Sequence, residues 1–229
     1  MPLPKIEVPK YVLKIPSTNK KVQFRPFLVK EEKVLMIAQE SEDESQIESA
    51  IKDVISSCTF DKVNPNDLTT YDLEYIFLQL RSKSIGETAT FNLKCEECGE
   101  YTEVSIDLGK VNVSFPEDPP EENIKLNDTI GMILKPVSVK NMGKANHKDF
   151  NSMISLVIDA IYDSDNVYST NDVSKAELDE FIDNLAHSSL QKIQQFIENQ
   201  PSLKHIVKFK CGSCGAENEV VLEGLSSFF

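Results

Sequence analysis

The segments Cys95-Glu96-Glu97-Cys98-Gly99 and Cys211-Gly212-Ser213-Cys214-Gly215 share the form Cys-x-x-Cys-Gly. On either side of each segment, apolar side chains alternate with polar ones, which is the period of a β-strand. Each segment is therefore predicted to be a tight turn between two strands. The alternating apolar residues are Phe91, Leu93, Val104, Ile106 and Leu108 around the first turn and Ile206, Val207, Phe209, Val220, Val221 and Leu222 around the second.

The spacing of the four cysteines favours a metal site. Two intervening residues let the backbone curl until both sulfur atoms reach one ion, and the following glycine permits the left-handed conformation that completes the curl. Two such turns supply four thiolates, a closed tetrahedral set suited to structural zinc that leaves no open position for catalysis. We therefore predict that Cys95, Cys98, Cys211 and Cys214 bind one structural Zn²⁺, in an arrangement that resembles a zinc ribbon.

Other interpretations of the cysteines stay open: redox activity, two separate metal sites, or cysteines that have lost a function. A thioredoxin-like redox pair places its first cysteine at a helix N-terminus, whereas both turns here lead into predicted strands. The fifth cysteine, Cys58, closes an apolar helical stripe and is predicted to be buried rather than to bind metal. None of His147, His187 and His205 stands at ligand spacing from another histidine, and each is expected to be an ordinary surface or packed residue.

The two cysteine turns lie far apart, with 112 residues between Cys98 and Cys211. The usual separation in a zinc site of this pattern is roughly 15 to 20 residues. A helical insertion explains the distance, provided that its ends lie close together. The predicted fold class is therefore α+β: an N-terminal β-hairpin, a helical bundle-like body, and a split zinc-ribbon-like β module whose halves flank a helical insertion.

Six segments follow from this interpretation, with strand periodicity at the ends and helical periodicity between them. Prolines among acidic residues predict an exposed linker in the middle of the chain. The segments are residues 1–27 (N-terminal β-hairpin), 28–86 (helical block), 87–110 (first half of the zinc ribbon), 111–140 (Pro-rich linker and short strands), 141–201 (second helical block) and 202–229 (second half of the zinc ribbon).

Apolar stripes at helical spacing predict the individual helices. In the first block, a stripe runs from Ile47 to Cys58, and Asn66-Asp67 is predicted to cap a third helix. The helix from Leu28 to about Glu40 is expected to present Val34, Ile37 and Ala38 on one side.

The second helical block is predicted to begin near Lys144. A stripe from Phe150 to Ile161 predicts one continuous helix there. Ser174 and Glu177 match a capping box, which predicts the start of the next helix. Ahead of this block, residues 132–134 are expected to form a short edge strand or part of a bent pair.

The charge of the chain limits its partners. The formal net charge is −13, and nucleic-acid binding draws most of its affinity from cations that neutralise phosphates. The same charge disfavours an anionic membrane surface. No apolar run approaches the ~20 residues of a membrane-spanning helix, and the N-terminus lacks the pattern of a secretory signal. We expect a protein made in the cytoplasm, without nucleic acid or membrane as partner.

The sequence offers no set of residues with the pattern of an active site. It contains no Gly-rich phosphate loop, no nucleophile elbow and no paired carboxylates at a telling spacing. Acidic residues such as Asp179, Glu180 and Asp183 are predicted to form the solvated face of a helix. We therefore expect a protein that is not an enzyme.

The stretch Phe24-Arg25-Pro26-Phe27-Leu28-Val29-Lys30-Glu31-Glu32-Lys33 resembles the baseplate hub subunits of T-even-type myoviruses, which are contractile-tail bacteriophages. The stretches at Leu73–Arg81 and Ser82–Gly86 are similar to the same family, as is the cysteine turn that follows them. The resemblance covers roughly residues 10 to 225. From the residues alone, Phe24 and Phe27 are expected to pack in the core, with Arg25 exposed and either solvated or facing a partner.

The resemblance implies a structural subunit of the central hub of the viral baseplate, taking part in tail assembly and located in the virion. Its implied partners are other baseplate and tail-hub proteins, and a homo-oligomer within the baseplate is left open. Two alternatives remain: a zinc-ribbon adaptor of transcription or replication machinery, and a baseplate assembly chaperone absent from the virion. The adaptor is disfavoured because glutamates surround both cysteine turns, whereas nucleic-acid-binding modules carry basic residues there.

Overall fold

The computed structural model describes residues 6–142 and 149–228. The described chain mixes helices and strands, in agreement with the predicted α+β class. In chain order the elements are β1 (Tyr11–Lys14), β2 (Lys21–Phe24), α1 (Val29–Glu40), α2 (Glu44–Cys58), α3 (Thr70–Ser84), β3 (Thr88–Lys94), β4 (Tyr101–Asp107), β5 (Asn112–Ser114), β6 (Asn123–Lys125), β7 (Gly131–Leu134), α4 (Val139–Met142), α5 (Phe150–Ser155), β8 (Ile158–Tyr162), β9 (Val167–Ser169), α6 (Lys175–Asp183), α7 (His187–Glu198), β10 (Ser202–Lys210) and β11 (Glu217–Glu223).

The chain divides into two compact units, and the cysteine turns belong to the first. The first unit comprises the described residues up to Pro65 together with 71–114 and 202–228, and the second comprises 66–70 and the described residues of 115–201. The first unit is thus built from both ends of the chain, and residues 115–201 are inserted into it. No helix within the described ranges is both long enough and apolar enough to cross a membrane.

The predicted N-terminal hairpin is present, with β1 and β2 paired antiparallel from Tyr11↔Phe24 to Lys14↔Lys21. The predicted stripe of α2 is present: Ile47 and Ile51 are half-buried, and the stripe is buried from Val54 to its last residue, Cys58, which is fully enclosed. The helix predicted to start at Asn66-Asp67 begins later, at Thr70. The reason is a contact distant in sequence: the backbone at Leu68 and Thr69 pairs with residues 138 and 139, which keeps it out of a helix.

The helix α1 differs from its prediction in the face that it buries. Among its apolar residues only Ala38 is buried, whereas Val34 is 44% and Ile37 66% exposed. The inward face carries Glu31, which is 6% exposed and accepts a hydrogen bond from Arg25. This contact fixes the rotation of the helix and turns the expected apolar side outward.

Two antiparallel hairpins carry the cysteine turns. The strands β3 and β4 pair from Thr88↔Asp107 to Lys94↔Tyr101, and β10 and β11 pair from Lys204↔Glu223 to Lys210↔Glu217. The short strand β5 adds to β10 through the pair Ser202↔Ser114. The residues that flank the insertion, Ser114 and Ser202, are therefore paired with each other. Its ends are close together, as the split arrangement requires.

The two cysteine hairpins share a hydrophobic core with α3 and the C-terminal segment. Nine buried residues form a contiguous cluster beneath the hairpins, so the metal is not the only contact that joins them. These residues are Leu78, Leu93, Ile106, Leu108, Val111, Leu203, Val207, Leu222 and Phe228.

The second unit contains more strand than we predicted, since the segment predicted as the second helical block also contributes β8 and β9. It contains a four-stranded antiparallel sheet in the order β6-β7-β8-β9, so β7 is an inner strand rather than an edge strand. The continuous helix predicted over Phe150–Ile161 ends at Ser155, and β8 begins at Ile158. The run from Val157 is rich in β-branched residues, which favour strands, and Ile158 and Ala160 are buried at the strand period.

Helices complete the second unit. The capping box at the start of α6 is confirmed, since Ser174 Oγ accepts from the N–H of Glu177 and the Glu177 carboxylate accepts from the N–H of Ser174. The helix α7 ends at Glu198, just before Gln200-Pro201, as expected. A second core lies between this unit's sheet and helices, formed by Ile124, Met132, Leu134, Ile154, Val157, Ile158, Leu178, Ile182, Ile193 and Phe196.

Candidate metal centre

The two cysteine turns have the same backbone geometry. In the first, the N–H of Cys95 donates to the carbonyl of Glu100 (2.8 Å), and the N–H of Gly99 donates to the carbonyl of Cys95 (3.0 Å). The second turn repeats both bonds at residues 211, 215 and 216 with the same lengths. Gly99 and Gly215 have φ of +76° and +74°, a left-handed conformation that glycine adopts without strain. The predicted curl is therefore present twice.

The four cysteine sulfur atoms all lie within 4.8 Å of one another. The shortest separations join opposite turns: Cys95 Sγ to Cys214 Sγ is 3.7 Å, and Cys98 Sγ to Cys211 Sγ is 3.6 Å. Four sulfurs bound tetrahedrally at about 2.3 Å from a zinc ion stand about 3.8 Å apart. The spacing thus suits a four-thiolate metal ion, and all four cysteines are free thiols rather than disulfides.

The cysteines differ in exposure and in acidity. Cys95 and Cys211 are buried, whereas Cys98 and Cys214 are exposed. The N–H groups of Cys214 and Ser213 lower the pKa of Cys211 to about 6. The N–H of Glu100 lowers the pKa of Cys98, but the neighbouring sulfurs and desolvation outweigh it and raise this pKa to about 12. Crowded thiolates repel one another, so a cation is required to keep all four ionised at neutral pH.

Two polar side chains, which the sequence analysis did not identify, join one cysteine turn to the other. Asn218 Oδ1 accepts from the N–H of Glu96 (3.0 Å), and Asn218 Nδ2 donates to Cys95 Sγ (3.4 Å). In the opposite direction, Thr102 Oγ1 accepts from the N–H of Gly212 (3.2 Å). Thr102 and Asn218 each stand seven residues after the first cysteine of their own turn. The two hairpins are therefore related by an approximate two-fold symmetry that a comparison of the repeats could have revealed.

The remaining candidate residues lie away from the four sulfurs. Cys58 is buried at the end of α2, where burial raises the pKa of its thiol to about 11. His205 lies within β10, paired with Leu222, and His187 is exposed at the start of α7. His147 lies outside the described residues. In the part of the chain that the structure describes, the only group of three or more metal-binding side chains consists of the four cysteines.

The Phe24–Lys33 stretch is organised by an ion pair. Phe24 and Phe27 are buried, as expected, but the prediction that Arg25 is exposed is wrong, since its side chain is only 11% exposed. Its guanidinium lies 2.8 Å from Glu31 and also donates to Ser57 Oγ (3.1 Å). Burial alone would raise the pKa of Glu31, but hydrogen bonds from Arg25, the N–H of Leu28 and Ser57 lower it to about 2. The Arg25–Glu31 pair thus fixes the start of α1 against the end of α2.

Fold and site together define an α+β protein in which a four-cysteine group joins two hairpins that are distant in sequence. The chain belongs to the T4 bacteriophage base plate protein family, whose model matches residues 8–229. It is 26% identical over 212 residues to the baseplate hub assembly protein gp26 of Enterobacteria phage T4, across 92% of this chain and 93% of that protein. No solved structure matches the chain. The resemblance seen at Phe24–Lys33 is thereby confirmed.

Proposed function

We propose that the chain is a non-enzymatic component of the central hub of a contractile-tail baseplate and takes part in its assembly. The observation that carries the proposal is the match to the base plate family along nearly the whole chain. The T4 relative is named a baseplate hub assembly protein, which supports the hub and assembly roles for this chain. Its partners are then other baseplate and tail-hub proteins, with neither nucleic acid nor membrane among them.

The same proposal includes one structural Zn²⁺ bound by Cys95, Cys98, Cys211 and Cys214. The support is the tetrahedral spacing of the sulfurs across two symmetric turns. Zinc is favoured over softer or redox-active metals because four thiolates in a closed tetrahedral set are the usual structural zinc environment. The metal closes a split zinc-ribbon-like module whose halves are separated by residues 115–201. No coordination position remains for a water or substrate, which supports a structural role.

Two forms of the function remain distinct: a subunit that stays in the finished hub, and an assembly factor that leaves before the virion is complete. The name of the T4 relative, a hub assembly protein, is compatible with both. The test is a phage that lacks this gene, complemented by the native chain. Loss of baseplates without the gene supports the proposal, and normal baseplates refute it. Quantitative mass spectrometry of purified virions then separates the two forms by the presence or absence of the chain.

The rival adaptor function is tested separately. The exposed glutamates beside the cysteine turns include Glu96, Glu97, Glu217 and Glu219, and like charge repels phosphates. The purified protein is expected not to shift DNA or RNA in a gel at ~150 mM salt. Tight binding that weakens steeply with salt would instead support a nucleic-acid adaptor.

A further inference from the structure

The helix α1 exposes apolar residues on several sides. Val29 is 64%, Met36 55% and Ile37 66% exposed, and Leu28 and Val34 are also exposed. Exposed polar residues of α1, such as Lys33, lie between these apolar residues. Several large exposed apolar side chains on one short helix indicate an interaction site. The helix begins within the Phe24–Lys33 stretch that carries the family resemblance, and its exposed apolar residues continue beyond that stretch to Ile37.

A groove of about 460 Å³ runs along one side of α1, within the first unit. Leu35 and Met36 of α1 form one wall, and apolar side chains of α2 and α3 form the other. A groove of this size lies in the range that bound ligands occupy. The groove is lined by Phe27, Glu32, Leu35, Met36, Gln39 and Ile47, and continues over Ile51, Phe77, Arg81, Ile85, Leu225 and Ser226. We call the groove and the exposed apolar residues of α1 together the α1 surface.

The shape of the α1 surface favours a helix over a small molecule. Outside the groove lining, Val29 and Ile37 of the same helix are also exposed apolar residues. Val29 and Met36 stand seven residues apart, about 10 Å along the helix axis. An amphipathic helix presents apolar residues at i, i+3, i+4 and i+7 over this length, and such helices bind in apolar grooves of this kind.

The charge at one end of the α1 surface specifies the partner further. The last turn of α1 contains no basic residue. Glu40 ends this turn and Glu42 follows two residues later, and both are exposed. The ion pairs in the described parts of the chain include neither of these glutamates. The C-terminus of a helix already carries a partial negative charge, which favours cations nearby. A second copy of this chain, with its net charge of −13, would bring the same acidic end and a large like charge.

We propose that the α1 surface binds an amphipathic helix of another baseplate protein, one that carries Lys or Arg where it meets Glu40 and Glu42. This inference rests on the proposed function for the source of the partner. The apolar stripe of that helix occupies the groove and covers Met36 and Ile37. Its basic residues complement the acidic end of α1.

Photo-crosslinking in infected host cells identifies the partner segment directly. The native chain carries p-benzoylphenylalanine at position 36 or, as the control, at Met153, a methionine of the second unit that is 38% exposed. The cross-linked peptides are then sequenced. A segment with an apolar i, i+3, i+7 stripe and Lys or Arg residues, cross-linked at 36 and not at 153, supports the proposal. A cross-link to a second copy, to a segment without basic residues, or to no protein overturns it.

The segment is next synthesised, and its affinity for the purified full-length protein is measured by fluorescence anisotropy. We expect Met36→Glu to weaken binding at least tenfold, since it places a charge in the apolar centre. The double change Glu40→Lys with Glu42→Lys should weaken it about threefold to tenfold at low salt. Met153→Glu should have no effect. Equal affinity for all variants overturns the inference. If baseplates form without the gene, the proposed function fails. If the gene is required but Met36→Glu binds the segment as tightly as the native chain does, only the inference about the α1 surface fails.

Discussion

The loss of one buried thiolate offers a sharp test of the metal centre. In Cys211→Ser, a zinc-binding chain should lose the ion, because serine is a poor zinc ligand and three cysteines no longer close the tetrahedron. The metal is proposed to join two hairpins that are separated along the chain by residues 115–201. Its removal should therefore lower the free energy of unfolding by more than a local change in one turn would.

The size of the effect follows from the loop that the metal closes. In the chain-entropy treatment of cross-links, a loop of about 100 residues contributes about 4.7 kcal/mol. The loop between Cys98 and Cys211 has 112 residues, so the metal is expected to contribute about 4 to 5 kcal/mol. For a chain of this length, each kcal/mol corresponds to about 2 to 4 °C in Tm. We expect a decrease on the order of 10 °C and not complete unfolding, since the core around Leu203 and Phe228 remains.

The assay combines zinc content by elemental analysis with thermal unfolding followed by circular dichroism. The native protein should contain about one zinc per chain. The matched control is Cys58→Ala, which removes a buried cysteine outside the site and should keep the zinc, with a loss of about 1 kcal/mol. The reasoning is refuted if Cys211→Ser retains the zinc, or if its Tm falls no further than that of Cys58→Ala. A Cys211→Ser variant that still yields normal baseplates would show that the metal is dispensable for assembly.

Three further predictions follow from the same structure. Asn218→Ala should weaken zinc affinity about tenfold to a hundredfold in a chelator competition, because it removes the bonds to Cys95 Sγ and Glu96; Asn92→Ala on an exposed strand position should not. Gly99→Ala should lower the free energy of unfolding by about 1 kcal/mol at its positive φ, whereas Gly212→Ala, with open space around it, should be neutral in the same denaturation series. Glu31→Gln should destabilise the protein above about pH 4.5. The pKa of the Glu31 carboxyl is lowered to about 2 in the folded protein, so its stabilisation is present above the unfolded pKa and is lost as the pH falls toward 2. The free energies of unfolding of the native protein and of Glu31→Gln should therefore converge toward pH 2.

Hydrophobic periodicity and cysteine spacing correctly predicted those elements whose sequence pattern is complete within a short stretch of the chain. The two hairpins, the α2 stripe ending at Cys58 and the capping box at Ser174 are all present. The prediction of a continuous helix through Ile161 was wrong because the local pattern there is ambiguous. Residues 157–161 carry apolar side chains at nearly every position, so they satisfy helical and strand spacing at once. Pairing of β8 with β7, a partner distant in sequence, decided between them.

Specific side-chain and backbone contacts explain the other differences. The rotation of α1 depends on the Arg25–Glu31 pair, and the later start of α3 depends on backbone pairing with Ser138 and Val139. Neither contact has a signature in local sequence, since both partners are ordinary polar or β-branched residues. Thr102 and Asn218 were predictable in principle, because their common offset from the cysteines is visible once the two turns are aligned. The four-cysteine group itself needed only the repeated motif.

The pairing of Ser114 with Ser202 leads to a last prediction, which concerns what the metal centre requires. All four cysteines, both cross-hairpin side chains and the nine core residues beneath them belong to the first unit. Antiparallel partners can be joined by a two-residue Asn-Gly turn, so the deletion of residues 115–201 with Asn-Gly inserted between Ser114 and Ser202 should leave β5 paired with β10.

We expect the shortened chain to bind one zinc, with a chelator-competition affinity within about tenfold of the native value, because the same four thiolates and second-sphere bonds remain. Zinc content, competition and the charge-transfer spectrum of the cobalt-substituted protein, which reports four-thiolate coordination, provide the readouts. Asn218→Ala in the shortened chain is the control that should weaken the site as it does in the full chain. A shortened chain that is folded by circular dichroism yet binds no metal would show that residues 115–201 help to form the centre, and the split-module account would then be wrong.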